Sequence, residues 1–151
     1  MRFLAAFDKF KDALSAREVC SLARSVLEDS ILGAEVFESP MTDGGEGFSE
    51  ILTHALGGRF SSFSASGPLG ETVQAEVGFV DLEAVPEKAR KLASFPLSGD
   101  LAVIEMASVA GLQKVPVDSR DPWRTSSTGV GQVFTQVLKK GVSAILLGIG
   151  G

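Results

Sequence analysis

The fold is decided by residues 3–37, which read FLAAFDKFKDALSAREVCSLARSVLEDSILGAEVF. The segment opens with a short apolar run, the pattern of a strand that is buried on both faces. Ser15 and Glu18 then form the Ser-x-x-Glu pattern of a capping box, which predicts a helix start. Apolar residues follow at helical spacing, namely Val19, Leu22, Ala23, Val26 and Leu27. With a second strand at 34–37, residues 2–39 are predicted to form a β-α-β unit with a right-handed crossover between parallel strands.

The rest of the chain extends this pattern. A glycine-rich loop at 41–47 leads into a second apolar helical pattern, which ends at Gly57 and Gly58. Residues 59–80 change in character and predict a β-hairpin or paired strands, so a domain boundary is expected near residue 65. A buried strand, a long irregular loop, a helix and a final strand are then predicted at 101–104, 111–127, 130–140 and 143–147. The predicted class is α/β, built from parallel β-α-β units.

The composition excludes several classes of function. The chain has 14 Lys and Arg against 19 Asp and Glu, so its net charge is −5. This acidic balance does not favour binding to the phosphate backbone of a nucleic acid. The single Cys and single His cannot build a structural zinc site or an internal disulfide, which fits a reducing cytoplasm. The N-terminal apolar run is far too short for a signal peptide or a membrane span. We expect a cytoplasmic protein with no nucleic-acid or membrane partner.

Glycine-rich loops stand where an α/β sheet usually binds its ligand, beyond the carboxyl ends of the parallel strands. Four loops hold this position, at residues 8–15, 41–47, 125–131 and 148–151, and the last three contain two or three glycines each. Glycine lets a ligand approach the backbone closely, and the start of a helix favours an anion. The loops therefore predict a small ligand that carries a phosphate or a carboxylate.

Charged residues in these loops suggest the chemistry. Asp8, Asp43 and Glu46 could hold Mg²⁺ together with phosphate oxygens, or take a proton from a hydroxyl group. Lys9 and Lys11 could neutralise a phosphate during its transfer. A simpler interpretation stays open, in which Asp43, like Thr128 before the later helix, is only a helix N-cap.

Short motifs occur in one order along the whole chain, namely Asp8-Lys9-Phe10-Lys11, Ser15-Ala16, Asp43-Gly44-Gly45-Glu46-Gly47, Gly67-Pro68-Leu69-Gly70-Glu71, Ile104-Glu105-Met106-Ala107, Gly111-Leu112, Thr125–Gly131 and Gly148–Gly151. In this order and spacing they resemble the bacterial glycerate kinase family. That family usually has Pro-Asp-Ser-Phe-Lys in the first loop, where Phe7 and Lys9 stand here.

The resemblance implies two α/β lobes, one inserted within the other. It also implies transfer of the γ-phosphate of ATP to D-glycerate, usually giving 2-phosphoglycerate. Residues 1–65 would be the N-terminal segment of a Rossmann-like first lobe, and residues 66–151 the first part of the inserted lobe. Because the family continues beyond the final glycines, the chain is expected to be a truncated N-terminal portion that is inactive alone.

The resemblance also implies roles for individual residues. Asp8, Lys11 and Asp43 would be catalytic, and Asp43 is also the candidate Mg²⁺ ligand beside the co-substrate ATP. The residues expected to bind substrate or phosphate are Gly44, Gly45, Glu46, Ser127, Thr128, Gly129, Gly131, Gly150 and Gly151. The alternatives are a kinase of another small hydroxy acid, or an inactive fragment that acts only as an anion-binding module.

Overall fold

The structure, a computed structural model, describes residues 1–150. It contains two compact units, one ending at Asp43 and the other beginning at Gly44. The strands are β1 (Arg2–Ala5), β2 (Glu35–Glu38), β3 (Arg59–Ser66), β4 (Thr72–Asp81), β5 (Asp100–Glu105) and β6 (Ala144–Gly148). The helices are α1 (Ala16–Ser30), α2 (Phe48–Ala55), α3 (Glu87–Leu92), α4 (Met106–Ala110) and α5 (Thr128–Leu138). No helix within residues 1–150 has the length and apolar character needed to cross a membrane.

The first unit is the predicted β-α-β unit. β1 pairs with β2 in parallel, and α1 connects them. The capping box is present, because Ser15 Oγ accepts the Glu18 N–H at 3.3 Å and Glu18 Oε2 accepts the Ser15 N–H at 2.7 Å. These observations confirm both the helix start and the parallel pairing that the sequence predicted.

The prediction that the first strand is buried on both faces is wrong. Ala5, Cys20 and Val36 form a buried cluster between the sheet and α1. On the other side, Leu4 is 69% exposed and its register partner Phe37 is 45% exposed. The physical reason is that one helix covers one face of a two-stranded sheet, and a continuous apolar run cannot show how many faces are covered.

The second unit is a four-stranded sheet in the order β3-β4-β5-β6. β3, β4 and β5 pair antiparallel, which confirms the predicted paired strands at 59–80, and β5 pairs with β6 in parallel. Alternate residues of β5 belong to two core clusters: Ala102 and Ile104 pack with α5, whereas Leu101 and Val103 pack with α2. The sheet is therefore covered on both faces, and the predicted α/β class is confirmed.

The predicted lobe boundary near residue 65 does not coincide with the division between the compact units. Residues 59–66 form one strand, which pairs along its whole length with residues 72–79 of β4. The division instead falls between Asp43 and Gly44. The assignment of residues 66–151 to an inserted lobe stays a prediction about the longer proteins that the chain resembles.

Candidate functional site

In the first unit, a lysine lies between the two predicted catalytic carboxylates. Lys9 Nζ is 3.1 Å from Asp43 Oδ1 and 3.6 Å from Asp8 Oδ1. The loops that carry these residues follow β1 and β2, and Met41 N–H joins them by donating to Phe7 O at 2.8 Å. The structure thus places Asp8 and Asp43 around one ammonium group, at a position where the resembling family usually has a hydroxyl.

Lys11 lies apart from this ion-pair cluster. Its side chain is exposed, and within residues 1–150 it forms no hydrogen bond or ion pair. It sits in a turn closed by Phe10 N–H donating to Leu14 O at 2.9 Å and Leu14 N–H donating to Phe10 O at 3.0 Å. The Lys11 ammonium is therefore available to a negatively charged ligand.

Asp43 is the predicted Mg²⁺ ligand, and Mg²⁺ in phosphate-transfer sites is commonly held by one or two carboxylates together with substrate phosphates. Mg²⁺ binds carboxylate oxygens in near-octahedral geometry. Within the described residues no group of three or more His, Cys, Asp or Glu side chains is arranged to hold a metal ion. The Asp43 oxygen predicted as a ligand instead lies 3.1 Å from the Lys9 ammonium, so a cation already balances it.

In the second unit, two of the glycine-rich loops pack directly on each other. A Cβ added to Gly148 would lie 2.6 Å from Gly44 O, too close for any side chain. A Cβ added to Gly150, which has a φ of +78°, would lie 3.2 Å from Gly45 Cα. The structure therefore brings Gly44, Gly45 and Gly150 together, and close backbone packing explains part of their glycine content. Gly151 lies outside the described residues.

The carboxylate of Glu105 lies behind these loops, at the carboxyl end of β5. Glu105 is 8% exposed, and its Oε2 accepts the Ser49 N–H at 3.2 Å. Burial raises the pKa of this carboxyl group. Three N–H groups at the start of α2, those of Ser49, Gly47 and Phe48, act in the opposite direction, while the charge of Glu46 raises the pKa further. The start of α2, where the sequence predicted an anionic ligand, thus already faces an internal carboxylate.

Ser49 connects the Glu105 carboxylate to the sheet. Its hydroxyl donates to Val103 O at 2.9 Å and accepts the Gly78 N–H at 3.2 Å. The N-cap of α2 is Gly47, so the interpretation of Asp43 as a helix N-cap is wrong. Sequence analysis did not select Glu105 as a site residue. The sequence pattern that could have identified Glu105 is a glutamate directly after a predicted buried strand, where α/β sheets place their ligands.

The start of α5 holds the remaining predicted binding residues. Ser127 is the N-cap and Thr128 the first helical residue, so Thr128 is not the cap. Ser126 Oγ accepts the Thr128 N–H at 3.1 Å and lies 2.7 Å from Thr128 Oγ1. Gly129 is needed for packing, because a Cβ there would overlap the backbone oxygen of Ser66, whereas Gly131 faces open space.

Comparison with known proteins gives a consistent result. The model of the glycerate kinase family matches residues 3–151. The chain is 35% identical over 151 residues to the glycerate kinase of Bacillus subtilis (strain 168), covering 100% of the chain and 35% of that protein. It is also 35% identical over 153 residues to the glycerate 2-kinase of Escherichia coli (strain K12), again covering 100% of the chain and 35% of that protein.

A solved structure shows the same likeness. The chain is similar to a crystal structure named as a glycerate kinase 2 from Salmonella typhimurium LT2, with a TM-score of 0.67 and 35% identity. The match covers 100% of this chain and 37% of that one. The chain thus spans about a third of the length of the curated relatives that it matches.

Proposed function

Because the chain belongs to the glycerate kinase family, we propose that the protein transfers the γ-phosphate of ATP to a hydroxyl group of D-glycerate. The observation that carries this proposal is the family match over residues 3–151. The name of the Escherichia coli relative, glycerate 2-kinase, supports 2-phosphoglycerate as the product. A cytoplasmic location, where ATP is available, is part of the same proposal.

The reaction needs little covalent chemistry from the protein. The substrate hydroxyl oxygen attacks the γ-phosphorus, forming a new P–O bond as the bond to the β–γ bridging oxygen breaks. ADP leaves with that electron pair, and the hydroxyl proton passes to a carboxylate. Asp8 and Asp43 are the candidates for this proton acceptor. Enzymes accelerate phosphoryl transfer mainly by positioning and electrostatics, so the arrangement of charged groups matters most.

Two lysines supply positive charge in the first unit. Lys9 contacts both candidate carboxylates and so fixes their positions relative to each other. Lys11, which is exposed, would neutralise charge on the transferring phosphoryl group. The contacts support this division of roles, because an ammonium group held between two carboxylates is less available to a phosphate than an exposed one.

The glycine-rich loops of the second unit would hold the phosphate-bearing parts of the substrates. We assign this role to the residues that sequence analysis selected, namely Gly44, Gly45, Glu46, Ser127, Thr128, Gly131 and Gly150. Gly129 is the exception, since its packing against Ser66 accounts for it. Glu105 faces the start of α2, so we place no phosphate there.

The proposal is tested with the protein as its gene encodes it, by coupling ADP release to NADH oxidation in the presence of D-glycerate. Asp43→Asn and Lys11→Ala are expected to lower kcat by about 10²-fold or more, because a general base alone contributes ~10²–10⁴-fold. Asp29→Asn and Lys88→Ala make the same chemical changes at exposed positions and serve as controls. Wild-type rates in both site variants would remove these residue roles. Turnover with other hydroxy acids but not with glycerate would reject the substrate.

A further inference from the structure

The second unit contains a cavity of about 400 Å³ beneath the irregular segment that joins α4 to α5. The turn at Pro68, the end of α4 at Ala110 and the residues before α5 surround it. Its volume falls within the range of sites that bind small molecules. Nothing in the mechanism above uses this cavity, although Ser127 contributes both to its wall and to the predicted phosphate-binding loop.

The two sides of the cavity differ in chemistry. One side is apolar and includes Pro68, Leu112, Val115 and Pro122. The other side carries an arginine, an aspartate and three consecutive hydroxyl side chains, namely Arg120, Asp121, Thr125, Ser126 and Ser127. A ligand that fits must therefore present a flat or apolar part together with hydroxyl and anionic groups.

Arg120 is oriented by the chain but has no acidic partner. Its Nε donates to Val115 O at 3.1 Å, and within residues 1–150 its terminal nitrogens form no hydrogen bond or ion pair. By contrast, Arg59 pairs with Asp100 at 3.1 Å. In a chain with an excess of acidic residues, an arginine that is held in place without a carboxylate is a suitable receptor for a phosphate, which guanidinium binds in bidentate geometry.

Asp121 narrows the choice of ligand. Its Oδ1 accepts the Trp123 N–H at 2.9 Å, and its backbone oxygen accepts from Thr125 Oγ1 at 3.1 Å. A carboxylate in the same cavity disfavours a bare inorganic anion, but it accepts hydrogen bonds from ligand hydroxyl groups. A three-carbon hydroxy acid has no flat or apolar part to set against the apolar side of the cavity. A nucleoside phosphate offers a base for the apolar side, ribose hydroxyls for the Asp121 carboxylate and a phosphate for the Arg120 guanidinium.

We propose that this cavity binds a nucleoside phosphate, with the base against the apolar wall, the ribose hydroxyls toward Asp121 and a phosphate on Arg120. The inference rests on the proposed function, for which it supplies the site of the ATP donor. It gives Arg120 a binding role, and it gives Ser126 and Ser127 the role of hydroxyl donors to the same phosphate.

The inference is tested by titrating the gene-encoded protein with ADP, D-glycerate and inorganic phosphate separately. The emission of Trp123, the single tryptophan within residues 1–151 and part of the same segment, reports binding, and calorimetry gives the affinity. Arg120→Ala should weaken ADP binding about tenfold or more, the effect of losing a hydrogen bond to a charged group. The ADP affinity of Arg120→Lys should lie between those of wild type and Arg120→Ala, because lysine keeps the charge and loses the bidentate geometry. Arg124→Ala, an exposed arginine that does not line the cavity, should change affinity less than twofold.

Two results would overturn the inference: ADP affinity in Arg120→Ala within twofold of wild type, or an Arg120 requirement for D-glycerate binding but not for ADP binding. Kinetics separates this failure from failure of the proposed function. An unchanged KM for ATP in Arg120→Ala would reject the cavity as the donor site while the kinase activity stands. Arg120-dependent ADP binding in a protein without glycerate-dependent turnover would support the cavity as a nucleotide site and reject the proposed glycerate kinase activity.

Discussion

Replacement of Glu105 by alanine should destabilise the second unit without unfolding it. The substitution leaves the Ser49 N–H, in a residue that is 4% exposed, without its acceptor at 3.2 Å. Loss of a hydrogen bond to a charged group costs about 1.5–3 kcal/mol, and relief of carboxylate burial offsets part of that. We expect a net loss of about 2 kcal/mol, which for a chain of this size lowers Tm by about 4–8 °C.

Thermal unfolding of the 151-residue chain, followed by far-UV circular dichroism, measures this shift. Hydrogen exchange of peptides covering residues 44–52 measures the local effect, which should be faster exchange at the start of α2. Glu76→Ala, at an exposed glutamate of β4, is the matched control and should leave both measurements nearly unchanged. A Tm within 1 °C of wild type, with unchanged exchange at 44–52, would refute the inference that Glu105 holds this loop.

Gly129→Ala should lower Tm, because its Cβ would overlap a backbone oxygen. Gly131→Ala, at a helical position with open space around it, should raise the free energy of unfolding by about 0.5–1 kcal/mol. Equal effects of the two variants in thermal unfolding would contradict this. Burial raises the pKa of Glu105, so the folded chain holds this proton more tightly than the unfolded chain. The free energy of unfolding of wild type, relative to that of Glu105→Gln, should therefore fall as pH rises from 4.5, the ordinary pKa of a glutamate, through the folded-state pKa. Urea unfolding in which this free-energy difference grows with pH would disprove the prediction. Lys9→Ala should lower Tm by no more than about 4 °C, since such ion pairs contribute ~0–1 kcal/mol to stability. The same substitution should reduce glycerate-dependent turnover at least tenfold. Wild-type turnover in this variant would exclude the positioning role of Lys9.

The first unit shows what local sequence patterns can predict. A capping box and a helical apolar stripe are both encoded within a few consecutive residues, so the position of α1 and the parallel pairing of its flanking strands followed directly. The exposure of Leu4 did not follow, because an apolar run is compatible with one covered face or two.

The candidate sites show what such patterns cannot predict. Glu105 and Ser49 are separated by 56 positions, and a single glutamate has no periodicity that would reveal its partner. Arg120 likewise gains its proposed significance only from a cavity that the tertiary fold creates. The glycine-rich loops were visible in the sequence, but the backbone packing that Gly129 and Gly148 require was visible only in three dimensions.

The central claim is that this glycerate kinase family member phosphorylates D-glycerate, and phosphorus NMR of the gene-encoded protein with ATP and D-glycerate tests it most directly. The claim predicts a new phosphomonoester resonance, assigned to 2-phosphoglycerate by addition of the authentic compound, that grows in step with ADP. Formation of ADP and free inorganic phosphate without any phosphoglycerate, or no change in the ATP signals, would contradict it.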